Sequence, residues 1–492
     1  MSRQREIVKN TAIIAFGKLS TQFLTFLLLP VYTTYLSTDE FGAFDLVITY
    51  AMLLAPALTL QLEMASFRFL VDTRNDDDKK TSVISTVLSM VVPIVAGITG
   101  IGILLMLFTD ITYLGYGLGA IIVMILSHLQ LQMARGVGSN LNFSIGSIVS
   151  GVTIFVLNMV FVVMLGYGIE GVFSAVIIGN LMCAIYLFFA LKLYRYIRFD
   201  AVSSSIRKEL LAYSVPLVPN GVSWWLINAA DRTIITIVLG AATNGVYAVA
   251  YRFPQIFNGL FSFFGMSWTE SASLHINSPD RDKFFSQVIN ASIRFFGSLG
   301  ALMIAAIPIV FDWIIGPDFR AAYTYIPILV VGAFFNSIVG LYSAIYVAKK
   351  MTKQVMTTSM FAAAISISAS LIGISYIGLF APSFALAIAF LSMAVYRHYD
   401  VKKFVSIHYD TPTILSIICL YSFTSALYYL NTPIGNIVSL AVTSLAVFLL
   451  AKPALSIVGG KIKQRGSRKT HQIKTTARSR RTTKRQSKRS KR

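Results

Sequence analysis

The chain is poor in charge and poorer still in acids. Of its 492 residues 13% are charged, with 21 Asp and Glu against 42 Lys and Arg, where an ordinary soluble protein carries about 25% charged residues. Set beside 55% hydrophobic residues, this excludes a cytosolic enzyme, a secreted module and a disordered scaffold, because a water-soluble fold has no interior for so much apolar surface. Cysteine is nearly absent. Cys183 and Cys419 both lie in apolar runs without Cys or His at metal-ligand spacing, so they read as core filling and not as a disulfide or metal framework. No Walker A loop occurs, so this chain does not hydrolyse ATP, and no catalytic constellation is visible. Asp76-Asp77-Asp78 sits in a loop with basic neighbours and reads as solvated, a divalent-ion site being the alternative. No signal peptide is evident: the first apolar run, about residues 11–36, is too long for a signal core and is expected to be a retained helix.

What is there is length and repetition of apolar runs. A membrane helix needs roughly 20 mostly apolar residues, and about fourteen such runs are present, near 10–36, 42–68, 82–109, 112–134, 142–165, 168–191, 212–238, 244–272, 286–311, 322–347, 353–376, 378–397, 411–430 and 434–455. They are too long for barrel strands and lack period-two alternation. The expected fold is therefore an all-α polytopic membrane protein. With the N-terminus inside, the inner segments carry Arg3, Arg5, Lys9, Arg68, Arg74, Lys79, Lys80, Arg135, Lys192, Arg195, Arg198, Arg207, Lys208, Arg281, Lys283, Lys349, Lys350, Lys353, Arg397, Lys402 and Lys403, while the outer loops carry Arg320 alone. This positive-inside bias puts both termini in the cytoplasm. The basic excess is concentrated elsewhere: Gly459–Arg492 holds 15 Lys and Arg and no acid, which leaves +6 of the net +21 for the remainder. Such a segment is expected to be a disordered tail attracted to anionic lipids, outside any translocation path, and the charge of the folded part does not argue for specific nucleic-acid binding.

The chain echoes itself. Leu36 to Phe44 reads LSTDEFGAF and Leu239 to Tyr247 reads LGAATNGVY, with Leu, Gly and an aromatic coinciding at an offset of 203; Ala134-Arg135 and Ala348-Lys349 form a second pair. The echoes divide the chain into an N-terminal six-helix lobe (1–191), a cytoplasmic linker (192–210), a second six-helix lobe (211–400), two further helices (401–458) and the tail (459–492). The stretch DRTIITIVLGAATNGVYAVAYRF, residues 231–253, with FGKLSTQFLTFLLLPVYTTYLSTDEFG, residues 16–42, resembles polysaccharide-export flippases of the Wzx type, in the multidrug/oligosaccharidyl-lipid/polysaccharide exporter superfamily. The likeness extends over residues 1–455 or so. It implies a transporter and not an enzyme, two lobes around a water-filled cationic cavity, and an undecaprenyl-diphosphate-linked oligosaccharide as cargo, moved from the inner to the outer leaflet of the cytoplasmic membrane. Partners of a polysaccharide-synthesis complex are a further expectation.

A basic side chain in mid-bilayer costs about 2.5–3.5 kcal/mol, so it normally faces a polar interior. Lys18, Arg232, Arg252 and Arg294 lie within the expected helices, and such groups can replace the water around a diphosphate. Positions like Lys18 and Arg252 match where the resemblance places cavity cations. For Arg232 and Arg294 a structural ion pair or snorkelling to headgroups is an equal alternative. The intramembrane acids are Asp45, Glu63, Asp231 and Glu270. Asp231 reads as partner to a cation on another helix. Glu63 and Glu270 can carry a proton or hold Na⁺ for coupling, or serve in a gate, and His128 can titrate near neutrality. No metal or organic cofactor is expected. Trp224-Trp225 reads as packing, with sugar stacking as the alternative. Pro216 and Pro219 are expected to allow bending at the start of the second lobe. Within the same superfamily, a flippase for the peptidoglycan precursor lipid and an ion-coupled exporter of amphiphilic small molecules remain open; a membrane-embedded glycosyltransferase and a scaffold for a synthesis complex are the readings from other classes.

Overall fold

A computed structural model of the chain describes residue 17 and residues 20–450. The expected first helix is described only in part, Lys18 lies outside the described residues, and so does the basic tail. All regular elements among the described residues are helices. They are α1 (Leu29–Tyr35), α2 (Thr38–Leu58), α3 (Leu62–Asp72), α4 (Asp77–Phe108), α5 (Leu114–Gly136), α6 (Asn140–Asn158), α7 (Gly168–Ala190), α8 (Ser204–Ser214), α9 (Leu217–Leu239), α10 (Ala241–His275), α11 (Arg281–Ile314), α12 (Ile326–Ala348), α13 (Thr352–Ile377), α14 (Phe380–Val401) and α15 (Thr411–Leu430), followed by α16 (Pro433–Leu450). Eleven of the described helical segments are long and apolar enough to span a membrane. The long helices α9 and α10, which carry the charged residues described below, are not among them.

Local chemistry sets the boundaries. Ser37 caps α2 in a reciprocal capping box with Glu40, which satisfies two donors that a helix start leaves open. Asp76 caps α4 by accepting from the Lys79 backbone at 3.1 Å, so the triple aspartate is a helix start. Arg74 donates to the carbonyls of Gly136 (2.7 Å) and Arg135 (3.0 Å) and closes the C-terminus of α5, where a cation is favoured by the helix dipole. Pro216 is the N-cap of α9 and follows Val215, whose φ of −56° and ψ of −43° stay helical, so α8 passes into α9 through a single turn at Val215–Pro216.

The chain divides into two compact units, Met1–Asn277 with Ile309–Phe404, and Ser278–Pro308 with Val405–Arg492. In the first, the motif repeated at offset 203 meets itself. Helices α2 and α10 cross at Gly42 and Gly245, each packed against backbone of the other helix. A Cβ on Gly42 would overlap the Ala241 carbonyl oxygen, and one on Gly245 would overlap that of Thr38. Asn244 donates to the Gly42 carbonyl at 2.9 Å. The linker after α7 is pinned to α4 by small hydroxyls: Ser82 donates to the Ala201 carbonyl and Ser85 to that of Tyr196, each at 2.7 Å, and the Ser203 amide donates to Thr86 at 3.1 Å. The second unit repeats the device. The His408 amide donates to Ser286 at 3.0 Å, Asn290 donates to the His408 carbonyl at 2.7 Å, and the Asp410 amide donates to Asn290 at 3.1 Å.

Two expectations are corrected here. Arg397, counted above among loop cations, is 1% exposed and sits inside α14. Its guanidinium donates to Thr358 at 2.7 and 3.0 Å, to the Val339 carbonyl at 3.2 Å, and to Ser343, tying α14 to α12 and α13 without a carboxylate. Arg397→Met is expected to leave those acceptors unsatisfied, at about 1–3 kcal/mol per group, and to lower the thermal midpoint of the purified protein in detergent. Cys419 is exposed on α15, whereas Cys183 is buried as expected.

Candidate functional site

Five side chains from three helices form a buried polar cluster in the first unit. Asp45 comes from α2, Asp231 and Arg232 from α9, and Tyr247 and Arg252 from α10. Arg232 donates through Nε to Asp45 Oδ2 at 2.5 Å, and Arg252 Nη2 lies 3.9 Å from the other oxygen of the same carboxylate. Asp231 accepts from the Tyr247 hydroxyl and from the Arg232 backbone amide (2.9 Å). The Arg232 guanidinium lies 4.8 Å from the Tyr251 ring, a cation–π contact. Two acids and two guanidinium groups balance, as burial requires. Around them Tyr50 and Thr233 share a hydrogen bond of 2.9 Å and the Trp225 indole donates to the Thr49 carbonyl at 3.1 Å, so Trp225 takes the packing role between α2 and α9.

Arg252 differs from Arg232. Its side chain is 22% exposed, against 6% for Arg232, and it reaches a cavity of about 420 Å³. The polar lining of this cavity is Thr21, Gln22, Thr25, Ser147, Arg252 and Gln255, interleaved with Phe26, Leu131, Phe143 and Ile256. Helical residues 20–27, α5, α6 and α10 therefore supply the walls. The Gln22 amide donates to the Gln255 backbone carbonyl at 3.2 Å and the Thr21 hydroxyl to the Ser147 backbone carbonyl at 3.3 Å, which orients both side chains.

The other expected site residues separate. Arg294 is held by Asp410 and donates to Thr413 at 3.0 Å. It anchors the start of α15 and is not among the residues that line the cavity, so its side chain follows the ion-pair alternative. The Thr413 hydroxyl and the Arg294 guanidinium hold the Asp410 carboxyl below the usual carboxylate range. Because that value is lowered on folding, the contact is fully present at neutral pH and is lost only as the pH falls through it. Asp231 has Tyr247 as its partner from another helix. Glu270 is exposed on α10. Glu63 and His128 line one small void together with Thr59, a juxtaposition that the sequence does not announce. The sequence marks Asp45 as an intramembrane acid but assigns it no role, because both its partners lie about two hundred positions on. Among the described residues no group of His, Cys, Asp and Glu is placed to hold a metal ion.

This helical architecture is that of known transporters. The solved structure of the lipid II flippase MurJ in an inward closed conformation superposes with a TM-score of 0.69 at 16% identity, covering 92% of this chain and 99% of that one. A multidrug resistance MATE family transporter in an inward-facing conformation gives 0.63 at 14% identity, covering 83% and 99%; an outward-facing one gives 0.57 at 13%, covering 85% and 96%. No curated protein matches in sequence. The chain thus shares the fold of these solved transporters, and its long apolar helices are those of a multi-pass membrane protein. Residues 7–269, more than half of the chain, match the model of the polysaccharide biosynthesis protein family, and the chain belongs to that family.

Proposed function

We propose that this protein flips an undecaprenyl-diphosphate-linked oligosaccharide across the cytoplasmic membrane, from inner to outer leaflet, with both termini in the cytoplasm. The observation that carries the reading is a cavity in which one guanidinium faces hydroxyl and amide groups. Arg252 supplies charge-assisted donors for a phosphate, and Thr21, Gln22, Thr25, Ser147 and Gln255 supply the neutral donors and acceptors that sugar hydroxyls require. Lys18 lies outside the described residues; three positions before Thr21 in the sequence, it is our second diphosphate ligand. The cluster around Asp45 lies toward the outer end of these helices in the expected topology and closes that end between the two lobes while cargo enters from the inner side. Cargo phosphate competes with Asp45 for Arg252, which gives the two states different contacts with the ligand, as any ligand-driven shift demands. A basic side chain in the cavity speaks against amphiphilic cations as cargo. The peptidoglycan precursor lipid carries the same diphosphate and is separated by its sugar. The basic tail, outside the described residues, serves as a docking element for anionic lipids or for proteins of a synthesis complex.

Reconstitution in vesicles with defined polyprenyl-diphosphate sugars and a leaflet-resolved assay tests the reading. Lipid movement without other proteins is expected, faster for an oligosaccharide than for the peptidoglycan precursor. No movement of either would overturn it.

A further inference from the structure

Helix α2 does not run on into α3. Pro56 stands just before its end, the Thr59 hydroxyl turns back to the Ala55 carbonyl at 3.0 Å, and Leu60 and Gln61 take φ values of 53° and 58°. These are left-handed conformations that residues other than glycine adopt only under constraint. α3 then opens at Leu62, so Glu63 lies in its first turn beside the break. The Glu63 carboxylate accepts the Thr59 hydroxyl at 3.2 Å and borders a void of about 10 Å³, room for a single water. Helices α2, α3, α4 and α5 wall this void, mostly with Leu62, Val91, Met124 and Leu129. Among the described residues only α5 brings a second titratable or charged group to the wall, and it is His128. Discontinuous membrane helices commonly mark ion sites, and a carboxylate among apolar walls calls for a neutralising proton or cation.

His128 has a second face. The surrounding helices leave part of it uncovered, and Leu131, three residues on and so on the same side of α5, lines the cavity that Arg252 enters. The break also touches the neighbouring helix, since the Gln61 amide lies against Gly221 of α9.

We propose that Glu63 is a proton-exchange site, distinct from the cargo site, that loads and unloads through His128 from the water of the cavity. A proton passes from cavity water to the imidazole; the resulting imidazolium gives it up to the Glu63 carboxylate, which becomes a neutral acid, and the imidazole returns to its starting form. Neutral Glu63 no longer needs the void's water, the break between α2 and α3 relaxes, and Gln61 transmits that change to α9. Glu63 thus supplies the coupling ion for the cycle. This consequence rests on the transport reading above, whereas the site itself does not.

Infrared difference spectra of the full-length protein in nanodiscs, recorded while the pH is stepped, are expected to show the carbonyl stretch of a protonated carboxylic acid. Glu63→Gln should erase it, Thr59→Val should shift it without erasing it, and His128→Gln should slow its appearance by tenfold or more. In vesicles an imposed pH gradient should change the lipid-flipping rate of the wild type and leave that of Glu63→Gln unchanged. A band that persists in Glu63→Gln, or a Glu63-dependent response to Na⁺ at fixed pH in place of the response to pH, would overturn the proposal. If the band behaves as expected while no polyprenyl lipid moves, the proton site stands and the cargo assignment falls.

Discussion

Gly42→Ala is expected to open the α2–α10 crossing and to abolish flipping. The added methyl overlaps the carbonyl oxygen of Ala241, which is helix backbone and cannot turn away as a side chain would. The two helices must part, at a cost of about 1–3 kcal/mol or more for overpacking, and with them the carboxylate of Asp45 separates from Arg232 and Arg252. Gly245→Ala should do the same from the other side, by overlap with the Thr38 carbonyl. Gly97→Ala is the control, since nothing lies within 4 Å of a Cβ there. Cysteines introduced as Thr38→Cys and Ala241→Cys, in a chain whose Cys183 and Cys419 are replaced by alanine, should be joined by a short bifunctional maleimide. Adding Gly42→Ala should reduce that yield severalfold and flipping by tenfold or more. Unchanged yield and unchanged flipping in Gly42→Ala would show that the crossing is not a closure.

The crossing also marks how far the sequence could be read. The offset of 203 was legible because Leu, Gly and an aromatic recur in register. That the two copies face each other is a tertiary fact: nothing in LSTDEFGAF says that its glycine meets the glycine of LGAATNGVY. The all-helical membrane class and the family follow from long apolar runs and from residues 231–253. Arg252 could be named as a cavity cation, but what sets it apart from Arg232 is a difference in exposure with Asp45 shared between them, and Asp45 lies 187 positions from Arg232. Arg294 looks equivalent to Arg232 in the sequence, and only Asp410, 116 positions on, separates the two. Arg397 was misplaced for a simpler reason. It stands within the last turn or so of α14, where boundaries read from hydropathy err by several residues, and a snorkelling loop cation and a buried one look alike in the sequence. Glu63 and His128 were each visible; their shared void depends on the break at Leu60 and Gln61, which no residue preference signals.

Arg252→Ala and Arg232→Ala, neighbours around one carboxylate, are expected to fail in opposite ways. Arg232 is 5% exposed and is the close partner of Asp45, so its removal leaves buried acid uncompensated, at about 3–5 kcal/mol. The protein should express poorly or melt well below the wild type, and Asp45→Asn in the same chain should restore part of that stability by removing the stranded charge. Arg252 is more exposed and reaches Asp45 only at 3.9 Å, while Arg232 still covers that acid, so Arg252→Ala should fold and insert normally. Its loss should fall on transport: a drop of tenfold or more in flipping, deeper with Lys18→Ala, milder in Arg252→Lys, and not relieved by Asp45→Asn. Circular dichroism melts and size-exclusion profiles give the first quantity, and leaflet-resolved flipping in vesicles gives the second. If Arg252→Ala with Lys18→Ala flips at the wild-type rate, the cavity does not hold a diphosphate. If Arg252→Ala instead melts as low as Arg232→Ala, both guanidinium groups belong to the closure and the cargo must be held elsewhere.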